Sequence, residues 1–269
     1  MMIDSHCHLD APEFDDDRLW VQQAAARADV RHIVVPGVAV DAFAKQKKVV
    51  ADCPGAVAAY GIHPLYVAAA ADDEPARLSA WLTQVPAVAV GEIGLDFYLP
   101  GLDRSRQLDF FRQQLQVARD FDLPVILHVR SAIDAVLAEL RRTPVRGGIA
   151  HAFNGSRQQA DRFLKQGFKL GYGGAMTHPG SRRIRQLAAT LPDEAIVLET
   201  DAPDMAPAWL SRGRNTPAEL PRIAAVLAEL RQQSLPEVLA MTSANVRAVL
   251  AIPNLAFAVN DEPMAKNGA

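Results

Sequence analysis

Residues 2–10 read MIDSHCHLD. Two apolar residues, Met2 and Ile3, lead straight into two imidazoles set two positions apart, His6 and His8. Alternate side chains of an extended chain share a face. His6 and His8 therefore point one way at the C-terminal end of a short strand. Cys7, between them, points the other way and reads as a small buried hydrophobe.

The same grammar recurs along the chain: an apolar or β-branched run, a polar turn, then a segment with helical spacing. The runs are 2–4, 32–38, 56–62, 87–93, 124–129, 147–153, 168–174 and 195–201. Helical spacing marks 104–121, where Leu108, Phe111, Leu115 and Ala118 recur on one face. Segments 131–142, 156–166 and 181–191 read the same way, and 217–233 and 235–251 follow the last strand. Strands alternating with helices predict a parallel sheet. Eight such units without a break in composition predict closure into a (β/α)8 TIM barrel of the α/β class. It is expected to span residues 1–252 as one domain, with residues 253–269 as a flexible tail.

The bulk properties agree with this. The chain has 269 residues, 49% of them hydrophobic, enough for a large core. Charged residues of both signs are mixed, and the net charge of −3 argues against nonspecific coating of nucleic acid. Two cysteines, Cys7 and Cys53, make no disulfide framework. The opening residues lack a basic-then-apolar leader, and no run approaches the roughly 18 apolar residues of a membrane span. A cytoplasmic protein is expected.

Ionisable residues then fall at matching places. Glu92 closes VAVGE, His128 closes VILH, His151 closes GIAH, Asp201 closes IVLETD, and His63 follows YGI. An inward ionisable group at the end of an apolar strand is costly unless it is paired or ligates a cation. In TIM barrels that end is where active sites gather. Imidazoles and carboxylates without thiolates suit zinc, manganese or similar ions. Four histidines (His6, His8, His128, His151) with Glu92 and Asp201 exceed the roughly three protein ligands of one tetrahedral catalytic site. They suit two ions sharing a carboxylate, about 3.5–4 Å apart, and the expected chemistry is hydrolysis.

Nine stretches, in order, resemble the TatD family of metal-dependent hydrolases: DSHCHLD (4–10), YGIHP (60–64), VGEIGLDFY (90–98), QLDFFRQQL (107–115), PVILHVR (124–130), HAFNGS (151–156), LGYGG (170–174), LETDAP (198–203) and GRNTP (213–217). The resemblance implies one ion on His6, His8 and Asp201, another on His128 and His151, and Glu92 between them. It also implies that Asp201 takes the proton of the attacking water, and that the activity is a divalent-ion-dependent DNase, often a 3′ exonuclease. The cofactor is then a pair of zinc, manganese or magnesium ions. The substrate is DNA or a short nucleotide, with no membrane and no obligate protein partner. Ala152 and Asn154 stand where the family usually has Cys and Ser, and Asp204 where an aromatic is usual. All three sit where substrate would lie, and Asp204 would repel phosphate.

Further groups surround these positions. His63 is placed to hold a phosphate oxygen or protonate a leaving group. Arg130 shares a face with His128 and either reaches substrate or forms a surface ion pair. Arg214 either binds phosphate or caps a helix while Asn215 holds the turn. Glu199 is one pleat deeper than Asp201, suited to accept a hydrogen bond from a ligand histidine. Asp96 and Tyr98 continue the alternation from Glu92 as loop-ordering groups. Two rival readings remain. One is a same-barrel hydrolase of an amide, lactone or aminoacyl ester, against which stands the absence of a lysine on strand four. The other is a non-catalytic metal-binding barrel.

Overall fold

Each of eight strands pairs in parallel with the next in the chain. They are β1 (Met2–Asp4), β2 (Val30–Pro36), β3 (Ala56–Tyr60), β4 (Ala89–Asp96), β5 (Val125–Arg130), β6 (Gly148–Ala150), β7 (Phe168–Tyr172) and β8 (Ile196–Leu198). Just past the last ladder, backbone bonds join the first and eighth strands. Ser5 N–H donates to the Leu198 carbonyl (3.1 Å) and Asp201 N–H to that of His6 (2.8 Å). This is the expected TIM barrel. The computed structural model describes residues 1–211, 213–250 and 252; the tail expected at 253–269 lies outside the described residues.

Nine α-helices are found among the described residues: α1 (Arg18–Arg27), α2 (Phe43–Asp52), α3 (Glu74–Leu82), α4 (Arg104–Asp120), α5 (Ile133–Arg142), α6 (Arg157–Leu164), α7 (Arg182–Thr190), α8 (Leu220–Arg231) and α9 (Leu235–Val249). The sequence reading found the last six and missed α1, α2 and α3. Those three bury Val21 and Ala25; Phe43, Gln46 and Val49; and Pro75, Leu78 and Leu82. In α1, Leu19 and Trp20 are exposed and blur the apolar stripe.

Two buried layers follow the pleat. Ile3, Val34, Ala59, Ala89, Ile126, Ile149 and Val197 fill the barrel, and Val246 and Val249 of α9 close it. Their strand neighbours Met2, Val35, Val90, Leu127 and Ala150 pack outward against the helices. Two-residue steps from Ile126, Ile149 and Val197 bring His128, His151 and Glu199 onto the inner face.

Two strands depart from this stepping, and both departures correct the sequence reading. Glu92 does not end its strand: β4 runs four residues further, to Asp96. Between Val90 and Ile93 the β4–β5 register shifts by one residue. Such a bulge re-aims side chains. Ile93 and Leu95 join Val90 in the outer layer, so Glu92 is turned into the barrel. Likewise β1 ends at Asp4, before His6. Ile3 is inside while Cys7 is outside, so the phase resets between them and His6 comes inward.

Candidate metal centre

All six expected ligand residues meet at the C-terminal mouth. Glu92 lies at the middle and is almost fully buried (1% exposed). Its Oε2 faces His6 Nε2 (3.1 Å) and His8 Nε2 (3.4 Å). Its Oε1 faces His151 Nε2 (3.1 Å) and His128 Nδ1 (3.1 Å). Asp201 Oδ1 adds to the first set, 3.5 Å from His6 Nε2 and 3.8 Å from His8 Nε2. One carboxylate thus presents one oxygen to each of two imidazole groups.

The electrostatics follow from crowding. Burial pushes Glu92 up, but the imidazoles of His6, His151 and His63 overcome it and hold the carboxyl well below its usual range. Burial, reinforced by His151, drives His6 down to about 3. At His8 burial also acts downward, yet the bond to Glu92 and the charges of Glu92 and Asp201 lift it to about 9. Asp201 is pushed up to about 6 by burial, against the pull of His151 and His8. A cation bound among these groups would compete with protons for the same lone pairs.

A divalent ion fits this donor set. Three groups of nitrogen and oxygen ligand atoms each converge within 4.8 Å: His6 with Glu92 and His151, His6 with His8 and Asp201, and His63 with Glu92 and His128. Among the described residues no lysine or arginine pairs with Glu92; its counter-charges are imidazoles alone. Neutral imidazoles with carboxylates and no sulfur suit a borderline divalent ion such as zinc or manganese.

Hydrogen bonding separates His63 from the other imidazoles. Its Nδ1 accepts from the Leu65 N–H (3.1 Å). A neutral imidazole with an accepting Nδ1 carries its proton on Nε2. Nε2 lies 3.5 Å from Glu92 Oε1, and a proton there occupies the lone-pair position a metal would need. Burial lowers His63, which favours this neutral form. In contrast, His128 directs Nε2 at Asp96 Oδ2 (3.2 Å) and His151 directs Nδ1 at Glu199 Oε1 (3.5 Å). The bond to Asp96 leaves His128 Nδ1 facing inward, and the Glu199 carboxylate stands behind His151 Nδ1 while Nε2 faces inward.

Residues 3–251 match the family model described as TatD related DNase. The chain belongs to the TatD family. It is 38% identical over 254 residues to the Escherichia coli K12 protein named "uncharacterized metal-dependent hydrolase YjjV", covering 93% of this chain and 98% of that one. The crystal structure of YjjV, described as a TatD homologue, matches with a TM-score of 0.90 at 37% identity, over 94% of this chain and 98% of that chain. A protein of Erwinia billingiae named 3′-5′ ssDNA/RNA exonuclease TatD is 32% identical over 266 residues, covering 94% of this chain and all of that protein.

This TatD-family chain is thus a metal-dependent hydrolase with its candidate ligands at the floor of an open cleft of about 1370 Å³. Arg130 lines the cleft, stacked 3.9 Å over the Tyr98 ring. Arg214 is not brought there. Its guanidinium grips Asp17 (2.6 Å) and lies over Phe14 (4.8 Å), outside the cleft lining. Glu199 sits behind His151 and also accepts the Ala152 N–H (2.6 Å). Glycine at 171 makes the room: a Cβ there would lie 2.1 Å from Glu199 Oε2. Asn154 and Asp204 line the cleft, and Asn154 accepts from Arg183 (2.7 Å).

Asp4, Gln107 and Gln114 escaped the sequence reading, and Asp96 does more than it anticipated. Asp4 is fully buried and accepts from Thr200 N–H (3.0 Å), Thr200 Oγ1–H (2.5 Å) and His6 N–H (3.2 Å), tying the ends of β1 and β8 together. Its signal was visible as the first member of an Asp-x-His-x-His pattern. Asp96 orders its loop by accepting from Tyr98 and Leu99 N–H, as expected, but it also holds His128. Gln107 and Gln114, two turns apart on the buried face of α4, clamp loop backbone. Polar side chains on an apolar helical stripe were the signal for them.

Proposed function

We propose that this chain is a two-metal phosphodiesterase, a TatD-type deoxyribonuclease acting on DNA or short nucleotides. The observation that carries the reading is the division of Glu92: one carboxylate oxygen toward His6 and His8, the other toward His128 and His151. Two cations sharing that carboxylate would satisfy both sets at once. His6, His8 and Asp201 would hold one ion, His128 and His151 the other, with Glu92 common to both. Zinc, manganese or magnesium bound there would supply Lewis-acid charge and make water a competent nucleophile near neutral pH.

The remaining work falls to side chains. Asp201, only partly exposed, is suited to take a proton from the attacking water at the carboxylate oxygen that does not face His6 and His8. His63 carries its proton on Nε2 and is suited to hold a phosphate oxygen by donating a hydrogen bond from that atom. Arg130 offers a guanidinium to a nonbridging phosphate oxygen. Glu199 and Asp96 keep His151 and His128 in the tautomers that leave lone pairs inward. The resemblance to the exonuclease of Erwinia billingiae favours a nucleic-acid substrate.

The test is hydrolysis of a 3′-labelled single strand with and without added Mg²⁺ or Mn²⁺. Metal-dependent shortening that is lost in Asp201→Asn, with metal content preserved, supports the reading. Turnover of an aminoacyl ester, lactone or amide with no shortening of the strand would replace it.

A further inference from the structure

The two sides of the cleft carry opposite charge. Its lining takes Asp10 and Glu13 from the loop after β1, Asp41 from the loop after β2, and Asp204 from the loop after β8. These three strands are neighbours in the closed barrel. None of the four carboxylates forms an ion pair among the described residues, and Glu13, Asp41 and Asp204 are exposed. Across the mouth the lining takes Arg130 from the end of β5 and Arg183 from α7, which follows β7. Both arginines are exposed, and Arg183 donates only to Asn154. Each side has one residue of the opposite sign, and each has an ion-pair partner: Lys45 pairs with Asp15 (2.8 Å), an acid it shares with Arg18, and Asp134 pairs with Arg162 (2.7 Å). Between the two sides sit the candidate metal ligands.

A strand crossing the whole mouth would lay its next phosphate among four unpaired carboxylates. A strand ending at the centre would not. We propose that the cleft seats the terminus of a strand, with an unphosphorylated terminal nucleoside on the Asp41/Asp204 side and the phosphate-bearing remainder on the Arg130/Arg183 side. This rests on the phosphodiesterase reading and adds a rule of substrate choice to it: a phosphate on the attacked end is rejected. Asp41 and Asp204 are then specificity-determining residues that need not touch the reacting atoms.

The experiment uses the metal-loaded full chain and one oligonucleotide in three forms: hydroxyl-ended, phosphate-ended at the attacked end, and circular. End-labelling first identifies which end is attacked. At low salt the hydroxyl-ended strand should exceed the phosphate-ended one in kcat/KM by about tenfold or more, and the circle should resist cleavage. Added salt should shrink the preference. Exposed carboxylate-to-amide changes preserve shape, so Asp41→Asn with Asp204→Asn should fold and should bring the two linear forms to within about threefold. Equal cleavage of both linear forms by the unaltered chain overturns the proposal and leaves the phosphodiesterase reading standing. A preference that survives unchanged in the double variant also overturns the assignment. No cleavage of any form, with metal bound, overturns both readings.

Discussion

Gln107 clamps the backbone of Asp96 at two points: its Oε1 accepts the Asp96 N–H (2.9 Å) and its Nε2 donates to the Asp96 carbonyl (3.0 Å). Gln114, one heptad on, repeats the clamp on Ile62, at 2.7 and 3.0 Å. Helix α4 therefore fixes the ends of β3 and β4 beneath His63 and His128. Gln107→Ala strands two buried backbone groups, which costs about 1–3 kcal/mol of stability. It also frees Asp96, the partner of His128. Titration of the metal-free protein with Zn²⁺ or Mn²⁺ should show one class of site weakened about 10–100-fold. Asp96→Ala should reproduce the metal effect. An unchanged binding isotherm in both variants would remove α4 from the account of the site.

The clamp also marks where sequence reasoning ran out. Period-two stepping sufficed for His128, His151 and Glu199, because β5, β6 and β8 keep their phase from core to mouth. It also paired His6 with His8 correctly. It gave no warning of the bulge that turns Glu92 inward, since an added residue leaves the strand as apolar as before. In α1, exposed Leu19 and Trp20 blur the apolar stripe that would have marked the helix. Arg214 illustrates a different gap. Its neighbours Phe14 and Asp17 lie some two hundred positions away in sequence, and only the closed barrel brings them together. Asp4 and Gln107 were not singled out, because their roles depend on partners, Thr200 and the Asp96 backbone, that only the fold brings to them.

Asp4 makes a prediction about pH. Burial pushes its carboxyl from 3.8 to about 7, despite hydrogen bonds from Thr200 and His6. The folded state therefore binds a proton that the unfolded state has released between about pH 4 and 7. Stability from this group is complete below pH 4 and falls as pH rises through 7. A rise of that size corresponds to roughly 4 kcal/mol. Asparagine keeps the shape and cannot ionise. Urea melts of wild type and Asp4→Asn at pH 5 and pH 8 should show that the variant gains relative stability at the higher pH. A difference independent of pH would mean that Asp4 does not carry this proton.

The two arginines singled out in the sequence should separate kinetically. Arg130 lies in the cleft and is held only loosely, 4.0 Å from Asp96 Oδ2 and stacked on Tyr98. Arg130→Ala should raise KM for a short single strand by about tenfold with a smaller change in kcat, as loss of a charge-assisted phosphate contact requires. Arg214 is fully engaged by Asp17 and the Glu13 carbonyl. Arg214→Ala should leave KM unchanged and lower the thermal midpoint slightly. The reverse pattern would restore Arg214 to the substrate path.

Gly171 offers the sharpest steric test of the layer behind the ligands. A methyl group there would lie 2.1 Å from Glu199 Oε2 and 2.6 Å from its carboxyl carbon, far inside contact distance. Glu199 is the shorter lever: its side chain must swing, because Gly171 lies in the β7 ladder, paired with Val197. The displaced carboxylate would release the Ala152 N–H and leave His151 Nδ1 without its acidic neighbour. Overpacking of this kind costs about 1–3 kcal/mol, so Gly171→Ala should still fold. Its metal affinity should fall about 10–100-fold. Combining Gly171→Ala with Glu199→Gln should add little further loss of affinity, since both act on the same contact. Full additivity of the two changes would show that Gly171 and Glu199 act on the site separately.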